Sequence, residues 1–325
     1  MNGPMNGSMP FSQVRHDSFT SRGRCAEILM SPAFPVFPWS DRKAMTTTQK
    51  GFHQMLRNRL ALAGLASALA MAAFPAFASA KAAQITISGS TSVAPLTSKL
   101  ASAYLKGPGK GKVIFTLYQG GSDIGVADVA AGRVVLGESS RDFKSSDPGG
   151  LSWYKIARDA ICLITNKDNP VPNLTAEQAK GIFSGSITNW SDIPGSKGSG
   201  TVNVVVRTAA SGTQDAFQKL FMGTTSVSSG AAQKASNGLI QQTVQSDPNA
   251  IGYVSEAFIE GTNVSKYKNV ACTLRNAKTN AYAGVRNFWY VTKGAPTTAT
   301  KAYIDWVRTS STAKSIIASG WVPLS

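Results

Sequence analysis

Three short stretches of the 325-residue chain bring glycine together with hydroxyl side chains: Gly89-Ser90-Thr91-Ser92, Gly120-Gly121-Ser122 and Ser211-Gly212-Thr213. A hydroxyl donates one hydrogen bond, and glycine lets backbone N–H groups approach a guest closely. Such a set suits a small anion, most of all where each stretch opens a helix whose first N–H groups are unpaired and carry partial positive charge. Taken singly, each stretch also reads as an ordinary helix cap, and Ser211 with Gln214 fits a plain capping box. Their recurrence favours an anion cradle, as does Arg207 four residues before Ser211. A guanidinium fork grips two oxygens of a tetrahedral anion while hydroxyl and N–H donors take the others.

Nucleophilic catalysis is the competing chemistry, with Ser90 or Ser211 attacking an ester. Such a serine needs a base. The chain has two histidines, His16 and His53, both in a segment read below as removed, so His-dependent triads and His-ligated metals are excluded. No Gly-x-Ser-x-Gly elbow occurs, and no Asp/Glu set is clustered for two metals. Lys219 is the lysine nearest to the Ser-Gly-Thr loop, and helical register turns it elsewhere. The expectation is therefore a binding protein with no catalytic residue, no cofactor and no metal.

The elements that must carry these loops follow from periodicity. Ile85 and Ile87 alternate with polar residues, and Leu96, Leu100, Ala103 and Tyr104 then recur at helical spacing, with Pro95 suited to a first turn. Val113 to Tyr118 reads as a strand, Ile124 to Ala131 as a short helix and Arg133 to Gly137 as a third strand. This βαβαβ order implies a largely parallel sheet with helices on its faces. Ala160 to Ile164 is another apolar strand. Thr175 with Gln178 makes a capping box for a helix carrying Ala179, Ile182 and Phe183. A strand at Val202 to Val206 leads to a helix with Phe217, Leu220 and Phe221 on one face. Ile251 to Val254 and Phe288 to Val291 are strand-like, and Ala302 to Ile317 reads as one terminal helix.

Composition bounds the setting. With 42% apolar and 15% charged residues the chain can bury a core, and disorder and collagen-like repeats are excluded. Arg57 and Arg59 precede the apolar run Leu60 to Phe74, and Ala78-Ser79-Ala80 follows. That is the pattern of a secretory signal peptide cleaved after Ala80, and the run is short for a membrane span. Removal of residues 1–80 leaves 25 basic against 14 acidic residues, a formal charge of +11. A basic surface favours anionic partners, but secretion and the scattering of Lys and Arg argue against nucleic acid. Cys162 and Cys272 are the cysteines that survive, and in an oxidising compartment they can form one disulfide.

Beyond single loops, an ordered set of segments resembles the periplasmic phosphate-binding proteins of ABC transporters. It comprises ISGSTSVAPL (Ile87 to Leu96), YQGGSDIG (Tyr118 to Gly125), LGESSR (Leu136 to Arg141) and RTAASGTQDAF (Arg207 to Phe217). The middle stretch from Leu163 to Ile193, NAIGYVSEAFI, RNFWYVTKG and the closing GWVPLS are similar as well, so the resemblance spans the chain after residue 80. It implies a two-lobed type II periplasmic-binding-protein fold, each lobe a mainly parallel sheet flanked by helices, joined by crossover strands and closing on its ligand like a hinge. Lobe I is expected over 81–160 and 256–325, and lobe II over 161–255.

The resemblance further implies that the anion is held by Ser90 and Thr91, by Ser122, by Ser140 and Arg141, and by Arg207, Ser211, Gly212 and Thr213. A monomeric, periplasmic protein handing phosphate to a membrane ABC permease is expected. Two departures bear on the anion. Enteric-type members have an Asp near the position of Ser140, where it accepts the proton of phosphate, and another two residues after the motif arginine, where this chain has Ala209. Glu138, Asp123, Asp142, Asp159 and Asp215 are the carboxylates that could replace the acceptor. Without one, sulfate or molybdate becomes the alternative guest.

Overall fold

The computed structural model describes residues 81–324. The segment read as a signal peptide, with its expected cleavage after Ala80, and both histidines lie outside the described residues.

In chain order the elements are β1 (Ala83–Gly89), α1 (Ala94–Lys106), β2 (Val113–Gln119), α2 (Ser122–Ala130), β3 (Leu136–Ser139), β4 (Leu151–Thr165), β5 (Asn173–Leu174), α3 (Ala176–Ser184), β6 (Asn203–Arg207) and α4 (Gly212–Phe217). Then follow β7 (Ala232–Lys234), α5 (Asn237–Ser246), β8 (Ala250–Ser255), β9 (Asn263–Tyr267), α6 (Leu274–Lys278), β10 (Val285–Lys293), α7 (Thr298–Thr309) and α8 (Ser311–Ala318). The sheet order is β2-β1-β3-β10-β4-β8-β6-β7, with β5 and β9 off this path.

Along the main path, parallel pairing is confined to the two flanks, and off it the short β5 runs parallel to β9. β1 runs parallel to β2 and β3, as the βαβαβ pattern requires, and β6 runs parallel to β7 and β8. Between the flanks, β10 is antiparallel to β3 and β4, and β4 is antiparallel to β8 and β9. β4 thus serves both halves: its first part pairs with β10 up to Ala160, and Ile161 to Thr165 pair with β8. The sequence reading found only Ala160 to Ile164 of this strand because Lys155, Arg158 and Asp159 break the apolar run. In the folded chain Lys155 and Arg158 are half-buried, while Asp159 is buried in an ion pair.

Two apolar cores flank the crossover. Ile85, Ile87, Leu96, Leu100, Leu136, Phe288 and Tyr303 form the first. Leu163, Ile182, Phe183, Trp190, Phe217, Phe221 and Tyr253 form the second, closed by Tyr267, Cys272, Ala277 and Tyr282. The chain from Tyr267 to Tyr282 therefore packs with the second core, whereas the sequence reading put everything after residue 255 with the first. A disulfide joins Cys162 on β4 to Cys272, 110 residues apart, and ties this returning segment down.

Local chemistry explains several element ends. Thr175 and Gln178 form the expected capping box of α3, and Pro95 sits in the first turn of α1. The helix after β6 winds through a π-turn at Gln218–Met222, and the terminal helix is broken at Ser310 into α7 and α8.

Candidate functional site

The loops after β1, β2 and β6 carry the hydroxyls, and the end of β3 adds a fourth contribution. Ser90 and Thr91 follow β1, whose last residue Gly89 lies beside Glu138 of β3. Ser122 opens α2, and Ser140 directly follows β3. Ser90 Oγ donates to Ser140 Oγ at 2.9 Å, the Ser140 N–H donates to Ser122 Oγ at 3.0 Å, and the Ser122 and Ser140 hydroxyls are 3.3 Å apart. Ser90, Thr91, Ser122, Ser140, Ser211 and Thr213 are all buried.

The loop of β6 and α4 meets them from the other core. A Cβ added at Gly212 would lie 2.2 Å from Ser122 Oγ and 2.9 Å from Ser140 Oγ, so only glycine admits that approach. Gly121, at φ +117°, would push a Cβ to 2.7 Å from the Ala210 carbonyl, and the neighbouring Asp123 N–H donates to that same carbonyl at 3.1 Å. Ser211 caps α4, its Oγ accepting from the N–H groups of Thr213 at 3.1 Å and Gln214 at 3.4 Å. Its hydroxyl thus accepts from the helix and keeps its own proton to donate. Thr213 Oγ1 pairs with Ser92 Oγ at 2.9 Å.

Of the expected residues, Arg207 is the most exposing of function. It is 3% exposed, its Nη2 donates to the Ala235 carbonyl at 2.8 Å and its Nε to the Lys234 carbonyl at 3.3 Å. Nη1 is buried without a partner among the described residues. Burial pushes this guanidinium down to about 10, with nearby Arg286 adding to the effect. Arginine still keeps its charge near neutral pH, so the cation needs an anion that the protein does not supply.

Arg141 is corrected. Its guanidinium does not join the hydroxyls but is spent on carboxylates: Nε donates to Asp123 at 2.5 Å, while Nη1 and Nη2 grip Asp147 at 2.9 and 2.7 Å. It also lies 5.9 Å from the Trp153 ring centre. An arginine so neutralised has four of its five N–H donors engaged on Asp123, Asp142 and Asp147 and holds the loop behind Ser140.

The structure adds residues that sequence reasoning missed. Arg286, at the start of β10, is buried; its Nη1 donates to Thr213 Oγ1 at 2.8 Å, and its Nε and Nη2 donate to Asp159 at 3.1 and 2.9 Å. Burial raises the Asp159 carboxyl above its usual range, opposed by the attraction of Arg286. Asn237, fully buried at the start of α5, donates to Thr91 Oγ1 at 3.0 Å and Ser92 Oγ at 2.8 Å and accepts from the Ser255 N–H at 3.1 Å. A signal for Arg286 existed in its place within the RNFWYVTKG stretch; nothing local marks Asn237, since its partners are 145 and 146 positions away.

The five candidate proton acceptors separate cleanly. Asp123 is held by Arg141, Asp142 accepts from Asn287 and Trp289, and Asp215 is paired with Lys144. Glu138 is buried in the first core with Thr97, Tyr290 and Tyr303, and burial pushes it up to about 8. Asp159 alone is linked to the hydroxyl cluster, through Arg286. Arg207, Arg286 and Asp159 together leave one buried positive charge, and Arg286, which acts on Arg207, donates to Thr213 of the hydroxyl cluster.

The family model described as the PBP superfamily domain matches residues 75–311. Among curated relatives, the phosphate-binding protein PstS of Bacillus subtilis is 25% identical over 246 residues, covering 74% of this chain and 80% of its own. PstS of Staphylococcus epidermidis is 30% identical over 198 residues, and the match spans 58% of this chain and 59% of that protein. A Clostridium perfringens structure described as a substrate-binding protein of a phosphate ABC transporter with bound phosphate is 33% identical. It is matched along 100% of its length by 74% of this chain at a TM-score of 0.70. An ABC-type phosphate transport receptor from Vibrio cholerae is 28% identical with the same coverages and a TM-score of 0.60. The chain therefore belongs to the PBP superfamily and, within it, to the phosphate-binding proteins of ABC transporters.

Proposed function

We propose that this protein captures inorganic phosphate between two lobes and delivers it to a membrane ABC permease. The observation that carries the reading is the buried Arg207 Nη1, without a partner among the described residues, in a protein that also packs the Ser90, Ser122 and Ser140 hydroxyls together and holds Thr213 on a second buried arginine, Arg286. Hydroxyl protons rotate, so a cluster that bonds within itself can turn its donors onto a guest. Hydrogen bonds to a charged group contribute about 1.5 to 3 kcal/mol each. Several of them, less desolvation and closure costs, account for a complex of about micromolar affinity without a metal. We assign Ser90, Thr91, Ser122, Ser140, Arg207, Ser211, Gly212 and Thr213 to the anion, with Asn237 and Arg286 holding them.

The lobes are drawn at the crossover strands, the first holding 81–160 and the chain after Val285 and the second the two-core boundary's other side, from Ile161 through Tyr282. A closed arrangement of these lobes is supported by hydrogen bonds such as Asp123 N–H to the Ala210 carbonyl and Ser92 to Thr213. Hinge closure of this kind buries the guest. The protein acts as a monomer on the extracytoplasmic side, reached through the signal peptide. Among the described residues no helix is long and apolar enough to cross a membrane.

Binding rather than hydrolysis is supported by the serines themselves. Ser90 Oγ donates to another hydroxyl and Ser211 Oγ caps a helix, and neither has a Lys or carboxylate as hydrogen-bond partner. The test is calorimetric titration of metal-free protein with phosphate and with sulfate at pH 6 and pH 8 (about one unit either side of neutrality). One-to-one phosphate binding that excludes sulfate is expected. Preference for sulfate would replace phosphate by a fully ionised oxyanion, and hydrolysis of a simple phosphate ester would replace binding by catalysis.

A further inference from the structure

Arg286 borders two spaces. Its Nη1 donates to Thr213 in the hydroxyl cluster, and the same residue lines a solvent-open cavity of about 360 Å³. Lys155 and Arg158 of β4 and Lys219 of the turn after α4 line that cavity too, with Asp142 and Asp215 as its acidic residues. Both carboxylates are already engaged: Asp142 accepts from Asn287 and Trp289, and Asp215 lies 2.9 Å from the Lys144 amine. Lys155 and Arg158 take part in none of the ion pairs among the described residues. Lys155 rests 5.7 Å from the Trp289 ring centre, and Arg158 donates to the neutral Asn280 side chain. Lys219 is 60% exposed and only 3.7 Å from the shared Asp215. The result is a concave wall with a surplus of positive charge, in which Lys155 and Arg158 have no carboxylate partner among the described residues, ending at a buried arginine that donates to Thr213. A cleft lined by one sign of charge concentrates counter-ions and raises their on-rates.

We propose that this cavity is an anion antechamber, in which Lys155, Arg158 and Lys219 gather incoming phosphate and pass it toward Arg286. The proposal rests on the phosphate-binding reading and adds to it a route of capture. None of the three cations touches the hydroxyl cluster, so their effect is on arrival and not on retention.

Stopped-flow kinetics on the full mature chain separate the two, with inorganic phosphate as the probe. The triple variant Lys155→Ala/Arg158→Ala/Lys219→Ala is expected to lower the association rate about five- to tenfold at low salt, with the dissociation rate unchanged within about twofold. The difference should fade by about 0.5 M salt, where screening shortens to a few ångströms. A control with the same loss of three charges, Lys106→Ala/Lys110→Ala/Lys112→Ala in the turn between α1 and β2, should associate like the parent. Should the triple variant fold poorly, Lys219→Ala alone, at an exposed side chain, is expected to slow association about twofold. An unchanged association rate, equal slowing in the control, a faster dissociation rate, or a second phosphate bound per chain would each overturn the antechamber. Failure of the unmodified protein to bind phosphate at all would instead overturn the functional reading, and the antechamber with it.

Discussion

Arg141 and Arg207 are equally buried, at 3% exposure each, yet their surroundings solve the problem of a buried cation in opposite ways. Around Arg141 the protein supplies the counter-charge itself, with Asp123 and Asp147 taking every arm of the fork. Around Arg207 it supplies two backbone carbonyls and leaves Nη1 unmatched. Glu138 is a third case, a buried acid with no basic partner and one oxygen unbonded. A carboxyl can escape by keeping its proton, and burial holds it in that form up to about 8. Arginine has no such escape, because it does not lose its proton in the accessible pH range. An unneutralised buried arginine therefore marks a place where charge has to come from outside.

Substitutions can break this contrast, and the largest effect should come from Arg207. Arg207→Ala should cost about 2–5 kcal/mol of phosphate affinity, roughly thirtyfold or more, because the bound dianion loses its buried partner. Calorimetry reads it directly, and affinity within threefold of the parent would end the comparison. Next comes Arg141→Ala, expected to cost about 3 kcal/mol of folding stability by stranding Asp147, with phosphate affinity nearly unchanged. Paired urea melts and titrations separate the two outcomes; a large affinity loss would return Arg141 to the site.

Glu138→Gln sharpens the third case. The folded pKa lies above the ordinary carboxyl value of 4.5, so between about 4.5 and 8 the folded state binds more protons than the unfolded one. Stability is then lost as pH rises through that window and levels off above it. The glutamine variant should lack this slope and gain on the order of 2 kcal/mol over the parent at pH 8, with little difference at pH 4.5. Parallel thermal melts across the window check it, and identical slopes would count against a neutral Glu138. The smallest effect is expected from Arg207→Lys, which keeps the charge and loses the planar fork: about tenfold in affinity, or roughly 1.4 kcal/mol.

Much of the site could be read from residues alone because its parts are local. Gly-Ser-Thr loops at strand-to-helix junctions, and an arginine four positions ahead of one of them, are short-range patterns, and the structure brings Ser90, Ser122, Ser140, Gly212 and Thr213 together. Arg141 shows the limit of the same reasoning. An arginine next to a serine motif looks identical whether it faces a guest or two carboxylates, and Asp147 lies six residues on in a loop without periodicity. Arg286 and Asn237 were out of reach for a different reason: each acts on a hydroxyl that is 73 or more positions away. β4 escaped in part because its charged residues look like a strand's end until β10 pairs with them.

What the amino-acid order determined by itself is the set of donors, the parallel βαβαβ start and the helix caps, since each depends on backbone preferences over a few residues. What only the tertiary structure decided is which charges cancel. Coulomb attraction and desolvation act through space, so the same guanidinium is neutralised beside Asp147 and left with an unpartnered Nη1 beside Ala235, where we propose the anion sits.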